Sequence, residues 1–358
     1  MSLLYTKMKI FHFREKLESL PIENPEILPP IHIRIKPTNL CNHNCSYCAY
    51  KADNLQLGKD MNRRDSIAGD KMLEIIEDII EMGVKAVTFS GGGEPFLYPH
   101  LIEAAKRLSD SPVKFASLTN GSNLRGEAAE LFAHNALWIR VSMDGYDDES
   151  YAGYRGAGPG EFTKVMTNLL NFKKLGGGCY LGVSFIVDKA NSANVYSFVG
   201  RLKDAGVDSV KISPCIVSNS GAKNNAYHKP FFNTVREQTQ RAKADFGNAG
   251  FEIFDSYHTL DEKFDKPYGW CPYLQILPVI GADLNVYSCQ DKAYNLEDGL
   301  LGSLSPEDVR FKDFWLNGKN KFFNINPSKV CNHHCVANEK NLLVMEYLNA
   351  DKKHLGFV

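Results

Sequence analysis

Three cysteines near the start of the chain have a spacing that suits metal binding. Cys41, Cys45 and Cys48 form the pattern C-x3-C-x2-C directly after the alternating stretch 31–35. Three thiolates on one short loop can hold three corners of a cubane iron–sulfur cluster and leave the fourth iron open to an exchangeable ligand. A zinc ion with His43 as fourth ligand is the alternative, although zinc motifs usually pair their thiols and need a second pair elsewhere.

A second group of cysteines lies in the last quarter of the chain. Its members are Cys271, Cys289, Cys331 and Cys335. Four thiolates can complete a cubane without an open position, and zinc or a purely structural role is the alternative. Cys179 and Cys215 stand alone and are assigned no role, because buried structural thiols are common.

Composition limits the classes of protein to consider. The chain has 358 residues, 41 basic and 42 acidic, with a formal net charge of -1, which argues against an electrostatic nucleic-acid binder. No apolar run approaches the roughly 18–20 residues that a bilayer span requires. The first residues lack the apolar core of a signal peptide, and nine cysteines are an odd number for a disulfide framework. These features predict a cytoplasmic protein with no membrane partner.

Strands alternate with helices over residues 31–213. Six strands are predicted, at 31–35, 84–90, 113–118, 137–142, 180–187 and 209–213. This pattern predicts parallel β/α units with right-handed crossovers, in a partial barrel or a doubly wound sheet. Residues 218–229 read as a polar connector before a helix. In either fold, ligands bind at the carboxyl ends of the strands.

Two further motifs follow predicted strands. Gly91, Gly92 and Gly93 precede Glu94 after the second strand, and glycines let backbone groups approach a ligand closely, although a plain tight turn would also explain them. Ser142 ends the fourth strand in the sequence S-M-D-G, and Arg155 follows in R-G. A guanidinium suits a carboxylate ligand, while the alternative is a surface arginine.

Taken together, these motifs resemble the signature of the radical S-adenosylmethionine (radical SAM) superfamily. The cysteine loop with Tyr47 before its last cysteine, the glycine motif and the S-x-D-G…R-G pair stand in the expected order. The resemblance implies a partial (β/α)6 TIM-type barrel, a 4Fe–4S cluster on Cys41, Cys45 and Cys48, and S-adenosylmethionine (SAM) on its open iron. It further implies cofactor binding by Tyr47, Gly91, Gly92, Gly93, Glu94, Ser142 and Arg155.

The last quarter resembles the Twitch domain, a short form of the SPASM extension, which implies an auxiliary 4Fe–4S cluster on the four later cysteines. Two features depart from relatives. Leu284 stands where they commonly have glycine, and C-x3-C replaces C-x2-C, which leaves His333 or His334 open as a ligand. The expected organisation is an N-terminal extension (1–30), the core barrel (31–225), a linker helix (226–249), the Twitch/SPASM-like domain (250–345) and a tail (346–358).

The resemblance implies reductive cleavage of SAM to a 5′-deoxyadenosyl radical that abstracts hydrogen from a substrate. An external one-electron reductant such as flavodoxin or ferredoxin would be a partner. Only thirty residues precede the first predicted strand, fewer than a leader-peptide domain needs, so we expect a small-molecule substrate such as a sugar, aminocyclitol or nucleotide sugar. A net dehydrogenation is expected, with a peptide-modifying enzyme, an epimerase or lyase, and a zinc-binding interaction module as alternatives.

Overall fold

The computed structural model describes residues 5–52, 54–55, 57–258, 265–306 and 308–357. Its strands are β1 (His32–Ile35), β2 (Ala86–Phe89), β3 (Lys114–Thr119), β4 (Trp138–Ser142), β5 (Tyr180–Val187), β6 (Ser209–Pro214), β7 (Glu252–Asp255), β8 (Val279–Ile280), β9 (Asn285–Tyr287) and β10 (Leu300–Ser303). They form one sheet in the order β10-β9-β8-β1-β2-β3-β4-β5-β6-β7. From β1 to β7 each strand runs parallel to its neighbours, which confirms the predicted partial barrel.

Helices connect and cover these strands. They are α1 (Arg14–Glu18), α2 (Gly69–Glu81), α3 (Leu101–Ser109), α4 (Gly126–Asn135), α5 (Asp148–Arg155), α6 (Glu161–Lys174), α7 (Val195–Asp204), α8 (Gly221–His228), α9 (Phe232–Phe246), α10 (Phe311–Leu316), α11 (Pro327–Val330) and α12 (Asn338–Asn349). Within the described ranges, no helix combines the length and the apolar character that crossing a membrane requires.

The core lies between the sheet and the helices that follow its strands. In α2, Met72, Ile75, Ile76 and Ile79 are fully buried, and their spacing places them on one side of a helix. Parallel strands are covered on their outer face by such helices and therefore carry long apolar runs. The residues that end each strand are left at one edge of the barrel, where the motifs lie.

Three elements were not expected from the sequence. Strand β7 pairs in parallel with β6, but its sequence E-I-F-D is too short and too charged to stand out as a buried strand. Helix α8 occupies the segment 218–229 that reads as a connector, and Ser220 caps it by accepting a hydrogen bond from Lys223 N. Helix α5 begins at a capping box between Asp147 and Ser150 and carries Arg155 in its last turn.

The C-terminal strands extend the same sheet on the other side of β1. Strand β8 pairs in parallel with β1, with Arg34 opposite Val279, and β9 returns antiparallel as the expected hairpin. Leu284 at its turn has φ of 62°, a left-handed conformation in which glycine carries no steric cost. This explains why glycine would be favoured at the position that Leu284 occupies.

The N-terminal extension contacts this C-terminal region. The backbone carbonyl of Leu20 accepts a hydrogen bond from Gln275 Nε2 at 2.9 Å. The carbonyl of Leu28 accepts from Trp315 Nε1 at 3.1 Å and from Lys16 Nζ at 2.7 Å. The extension therefore ties the edge of the barrel to the segment that carries the later cysteines.

Candidate metal and cofactor site

The loop that carries Cys41, Cys45 and Cys48 (the three-cysteine loop) follows β1. Its backbone amides donate hydrogen bonds to carbonyl groups of α5, which hold it in place. Asn44 N donates to Arg155 O at 2.8 Å and Ser46 N donates to Tyr154 O at 3.0 Å. Cys41 is exposed, whereas Cys45 and Cys48 are half-buried, and none forms a disulfide. The loop is thus fixed while its sulfur atoms stay accessible at the carboxyl ends of the strands.

Electrostatic contacts place the three thiols in one group. Burial raises the pKa of Cys41 and of Cys48, and the nearby Cys45 thiol raises both further. The charge of Lys51 lowers the pKa of both thiols. Cysteine binds metal as thiolate, so a metal that binds here releases protons.

His43 lies inside this loop but its ring faces another part of the protein. Its Nε2 atom is 3.0 Å from Ser122 Oγ and 3.5 Å from Glu161 Oε1. Ser122 follows β3 and Glu161 begins α6, so His43 anchors the loop to two other elements. This contact opposes the zinc alternative in which His43 would be the fourth ligand.

The loop that carries Gly91, Gly92 and Gly93 (the glycine loop) packs directly on the three-cysteine loop. Gly93 N donates to Thr38 O at 3.1 Å and Glu94 N donates to Leu40 O at 2.8 Å. A Cβ atom on Gly93 would lie closer than 3.0 Å to the Leu40 carbonyl. Glycine is therefore required by the close approach of two backbones, next to Cys41.

We expect Gly93→Ala to disturb the three-cysteine loop, because the backbone of Leu40 must move to admit the new methyl group. Such overpacking typically costs about 1–3 kcal/mol, so thermal unfolding of the variant should begin at a lower temperature. Bound iron after anaerobic reconstitution should also fall. Gly158→Ala is the matched control, because its Cβ would meet nothing within 4 Å. Equal stability and equal iron content in the two variants would contradict this account of the glycine loop.

Glu94 is buried at 3% exposure beside the glycine loop. Its carboxylate accepts hydrogen bonds from Thr119 Oγ1 at 2.6 Å, from Asn120 N at 2.6 Å and from Phe96 N at 3.0 Å. Burial raises its pKa, and these hydrogen bonds act in the opposite direction. A carboxylate accepts about four hydrogen bonds, so Glu94 can receive one more donor, for which an ammonium group is suited.

Arg155 is buried and fixed by an acidic partner. Its Nη2 atom lies 2.6 Å from Asp144 Oδ2, and Nη1 lies 3.6 Å from Cys45 Sγ as a hydrogen-bond donor. The Tyr47 hydroxyl donates to the same Asp144 carboxylate. Burial opposes the charge of Arg155, but Asp144 raises its pKa well above the ordinary value. This residue is therefore a buried cation beside the three-cysteine loop and not a surface arginine.

Ser142 ends β4 at the same edge of the barrel, opposite Ser184 of β5. It is half-buried. It lies two residues before Asp144, so the motif S-M-D-G supplies both a hydroxyl and the carboxylate that positions Arg155. The sequence singled out Ser142 and Arg155 but missed Asp144, although its place after a strand was a signal that could have identified it.

The four later cysteines (the four-cysteine site) are also brought together. Burial raises the pKa of Cys289 well above its ordinary value, and Asp291 and the thiols of Cys335, Cys331 and Cys271 raise it further. Burial likewise raises the pKa of Cys331 to about 11 and that of Cys335 to about 12. Residues far apart in sequence thus form one group of thiols.

Hydrogen-bond donors and cations surround this group. Cys271 Sγ accepts from Asn341 Nδ2 at 3.2 Å. Lys292 is 1% exposed and donates to Val330 O at 2.7 Å, and the buried Lys266 donates to His333 O. Both ammonium groups lower the pKa of Cys331 against the larger effect of burial. Lys292 Nζ also lies 3.4 Å from Asp298 Oδ2. Cations close to a thiol favour the thiolate form, which is the form that binds metal.

His333 remains a candidate ligand. It is buried at 6% exposure, and burial lowers its pKa well below the ordinary value. Its Nδ1 atom is buried and has no hydrogen-bond partner within the described parts of the chain. A buried polar atom normally finds a partner, so a metal ligand role for His333 stays open.

Comparison with known proteins identifies one domain of the chain. Residues 35–189, which hold the three-cysteine loop, the glycine loop, Ser142 and Arg155, match the model of the Radical SAM superfamily. This part of the chain is a radical SAM domain. The 4Fe–4S cluster and SAM are the cofactors of this superfamily.

Proteins similar to this chain include a nucleotide cyclase and a protein solved with a peptide. A GTP 3′,8-cyclase of Synechococcus elongatus is 29% identical over 140 residues, which are 38% of this chain and 41% of that protein. This chain thus spans less than half the length of that curated relative. SuiB of Streptococcus suis, solved with its precursor peptide SuiA, has TM-score 0.61 and 14% identity over 88% of this chain and 71% of that one. The protein anSMEcpe, solved with AdoMet, has TM-score 0.60 and 19% identity over 82% of each chain. These two structures support the fold.

The donor set of each cysteine group suits an iron–sulfur cluster. The three-cysteine loop offers three thiols and the four-cysteine site offers four, and thiolates are the usual ligands of such clusters. Among the described residues, no three His, Cys, Asp or Glu side chains are grouped as ligands of a single metal ion.

Proposed function

We propose that this protein is a radical SAM oxidoreductase that removes hydrogen from a small molecule with the help of two 4Fe–4S clusters. In this proposal Cys41, Cys45 and Cys48 hold the first cluster and the four-cysteine site holds the auxiliary one. When bound, the first cluster and SAM supply a 5′-deoxyadenosyl radical. Flavodoxin or ferredoxin would supply the electron that begins each turnover.

One observation carries the proposal: hydrogen bonds join residues that are close in sequence to the two cysteine sets. Lys36 Nζ donates to Tyr50 Oη at 2.5 Å and to Gly91 O at 2.9 Å. Gln290, next to Cys289, donates to the same Tyr50 hydroxyl. The glycine loop, the three-cysteine loop and the four-cysteine site therefore meet around Lys36, as an auxiliary cluster that serves the substrate site would require.

The site residues have separate tasks toward SAM in this proposal. The backbone of the glycine loop and the remaining lone pair of Glu94 receive the amino group. Arg155, oriented by Asp144, and Ser142 receive the carboxylate or the ribose. Tyr47, whose hydroxyl is held by Asp144, presents its ring beside Cys48. The support for these tasks is burial and the directions of the hydrogen bonds described above.

A peptide substrate is the second candidate. SuiB, which shares the fold, was solved with its precursor peptide, whereas the GTP 3′,8-cyclase is named for a nucleotide. The Lys36–Tyr50 contacts support a net oxidation in either case, because a cluster on the four-cysteine site would be an electron acceptor close to the three-cysteine loop.

Deuterium transfer tests the proposal. Reconstituted protein is incubated with reductant, SAM and a pool of either small molecules or peptides from cells grown in deuterated medium. We expect deuterium in 5′-deoxyadenosine with the small-molecule pool only, and reductant consumption below one electron per product, because an oxidation returns the electron. Unlabelled pools are the control. Labelling by peptides alone would favour the second candidate, and no 5′-deoxyadenosine in any pool would overturn the proposal.

A further inference from the structure

Strand β1 and the residue that follows it present three basic side chains to the interior of the barrel. Ile33 and Ile35 are fully buried on the opposite face, and the period of a strand places His32, Arg34 and Lys36 together on the other. Lys36 contacts Gly91 of the glycine loop, and the charges of Asp291 and Cys289 of the four-cysteine site act on Arg34. If the proposed function holds, a substrate binds between these two regions.

Two of these three side chains are bound by the protein and one is not. His32 Nε2 lies 2.8 Å from Thr88 Oγ1, and Lys36 Nζ donates to Tyr50 and Gly91. Arg34 is partly buried, and its guanidinium forms no hydrogen bond or ion pair with any described residue. Its Nε atom is buried and unpartnered. A guanidinium has five N–H donors. Because the donors of Arg34 have no partner among the described residues, they are suited to binding a ligand that accepts hydrogen bonds.

Cations accumulate around Arg34. Burial is the largest cause that lowers the pKa of His32, Lys36 and Lys340. The charge of Arg34 lowers all three pKa values further, and the charge of Lys340 also lowers that of His32. Burial lowers the pKa of His32 to about 3, so this imidazole is neutral at neutral pH and does not add to the repulsion. The positive charges of Arg34, Lys36 and Lys340 repel one another in a region of low dielectric constant, and an anion beside Arg34 would reduce that cost.

No acidic group near Arg34 occupies its hydrogen-bond donors. The charges of Tyr50, Asp291 and Cys289 act on Arg34, but none of these three side chains accepts a hydrogen bond from its guanidinium in the described part of the chain. The donors of Arg34 therefore remain available to a ligand.

We propose that the substrate is an anion and that Arg34 receives its phosphate or carboxylate group. This inference rests on the proposed function, because it places the substrate between the glycine loop and the four-cysteine site. The planar fork of a guanidinium binds either group through two parallel hydrogen bonds. Lys36 and Lys340 add positive charge without occupying that fork.

Calorimetric titration of the reconstituted, SAM-loaded protein tests the proposal. The probes are inorganic pyrophosphate, inorganic phosphate and acetate, which separate a phosphate from a carboxylate. We expect saturable binding of at least one anion, and Arg34→Gln should weaken it about ten-fold or more. Arg34→Lys should recover part of the affinity, because it restores the charge but not the fork. Arg125→Gln, at an exposed arginine before α4, should bind as the natural protein does.

Two results would overturn the proposal. One is the absence of saturable binding for all three anions. The other is unchanged anion affinity in Arg34→Gln with a shifted reduction potential of the auxiliary cluster, which would make Arg34 a counter-charge for that cluster. If Arg34→Gln fails to fold, as judged by circular dichroism, Lys340→Gln replaces it and should weaken binding in the same direction. Formation of 5′-deoxyadenosine, measured on the same samples, tests the proposed function independently.

Discussion

Replacement of Cys45 by alanine is expected to reduce SAM cleavage to the background of the assay. Cys45 is the central thiol of the three-cysteine loop, and its sulfur accepts a hydrogen bond from the buried Arg155. Without it two thiols of the loop remain, too few to hold a cubane at three corners. We expect bound iron to fall by about half, because the four-cysteine site is untouched. The measurements are 5′-deoxyadenosine by chromatography and iron per chain.

Cys179→Ala is the matched control for this variant. Cys179 is buried at 4% exposure and lies just before β5, at the end of the barrel opposite the three-cysteine loop. The control should keep the natural iron content and the natural rate of SAM cleavage. If Cys45→Ala formed 5′-deoxyadenosine at the natural rate, the assignment of the three-cysteine loop would be wrong.

Replacement of Cys289 by alanine should have the second largest effect, and a different one. Burial raises its pKa, and all three other thiols of the four-cysteine site raise it further, so Cys289 lies near each of them. We expect loss of the auxiliary cluster, retention of SAM cleavage in the absence of substrate, and loss of oxidised product. Electron paramagnetic resonance of the reduced protein should show one cluster signal where the natural protein shows two.

Cys215→Ala serves as the control for Cys289→Ala. Cys215 is buried at 7% exposure after β6, outside both cysteine sets, and its loss should leave both cluster signals in place. Circular dichroism of both variants separates loss of a cluster from loss of the fold. If Cys289→Ala kept product formation after losing the auxiliary cluster, that cluster would have a structural role only.

The fold was predictable from the sequence to the extent that local patterns determine it. The strand at 180–187 and the helix over residues 161–175 have clear apolar periods and appear as β5 and α6 with nearly the same bounds. Strand β7 was missed because its position is determined by pairing with β6 and not by its own sequence. A short strand with charged ends carries too little local signal.

The candidate site was predictable where residues close in sequence act together. The spacing of Cys41, Cys45 and Cys48 was enough to predict them as metal ligands. The contacts of Lys36 with Tyr50 and Gly91 join segments of the chain that only the folded barrel brings together.

The buried lysines of the four-cysteine site were also missed. A sequence reader expects lysine at the surface, because it is almost never fully buried without a partner. Lys292 is nevertheless 1% exposed, and its charge lowers the pKa of Cys331. Lys292 contacts the loop of Cys331 and Cys335, which is distant from it in sequence. The residues next to Lys292 in the sequence therefore do not predict that it is buried.

The pairing of β8 with β1 has a consequence for how this protein can be divided. Strand β8 covers an edge of the barrel strand that precedes the three-cysteine loop, so ladder hydrogen bonds help to set the separation of that loop and the four-cysteine site. A fragment that stopped at residue 250 would uncover that edge, and bare strand edges recruit strands from other molecules. We therefore expect such a fragment to aggregate, whereas β8 protects the edge in the full chain.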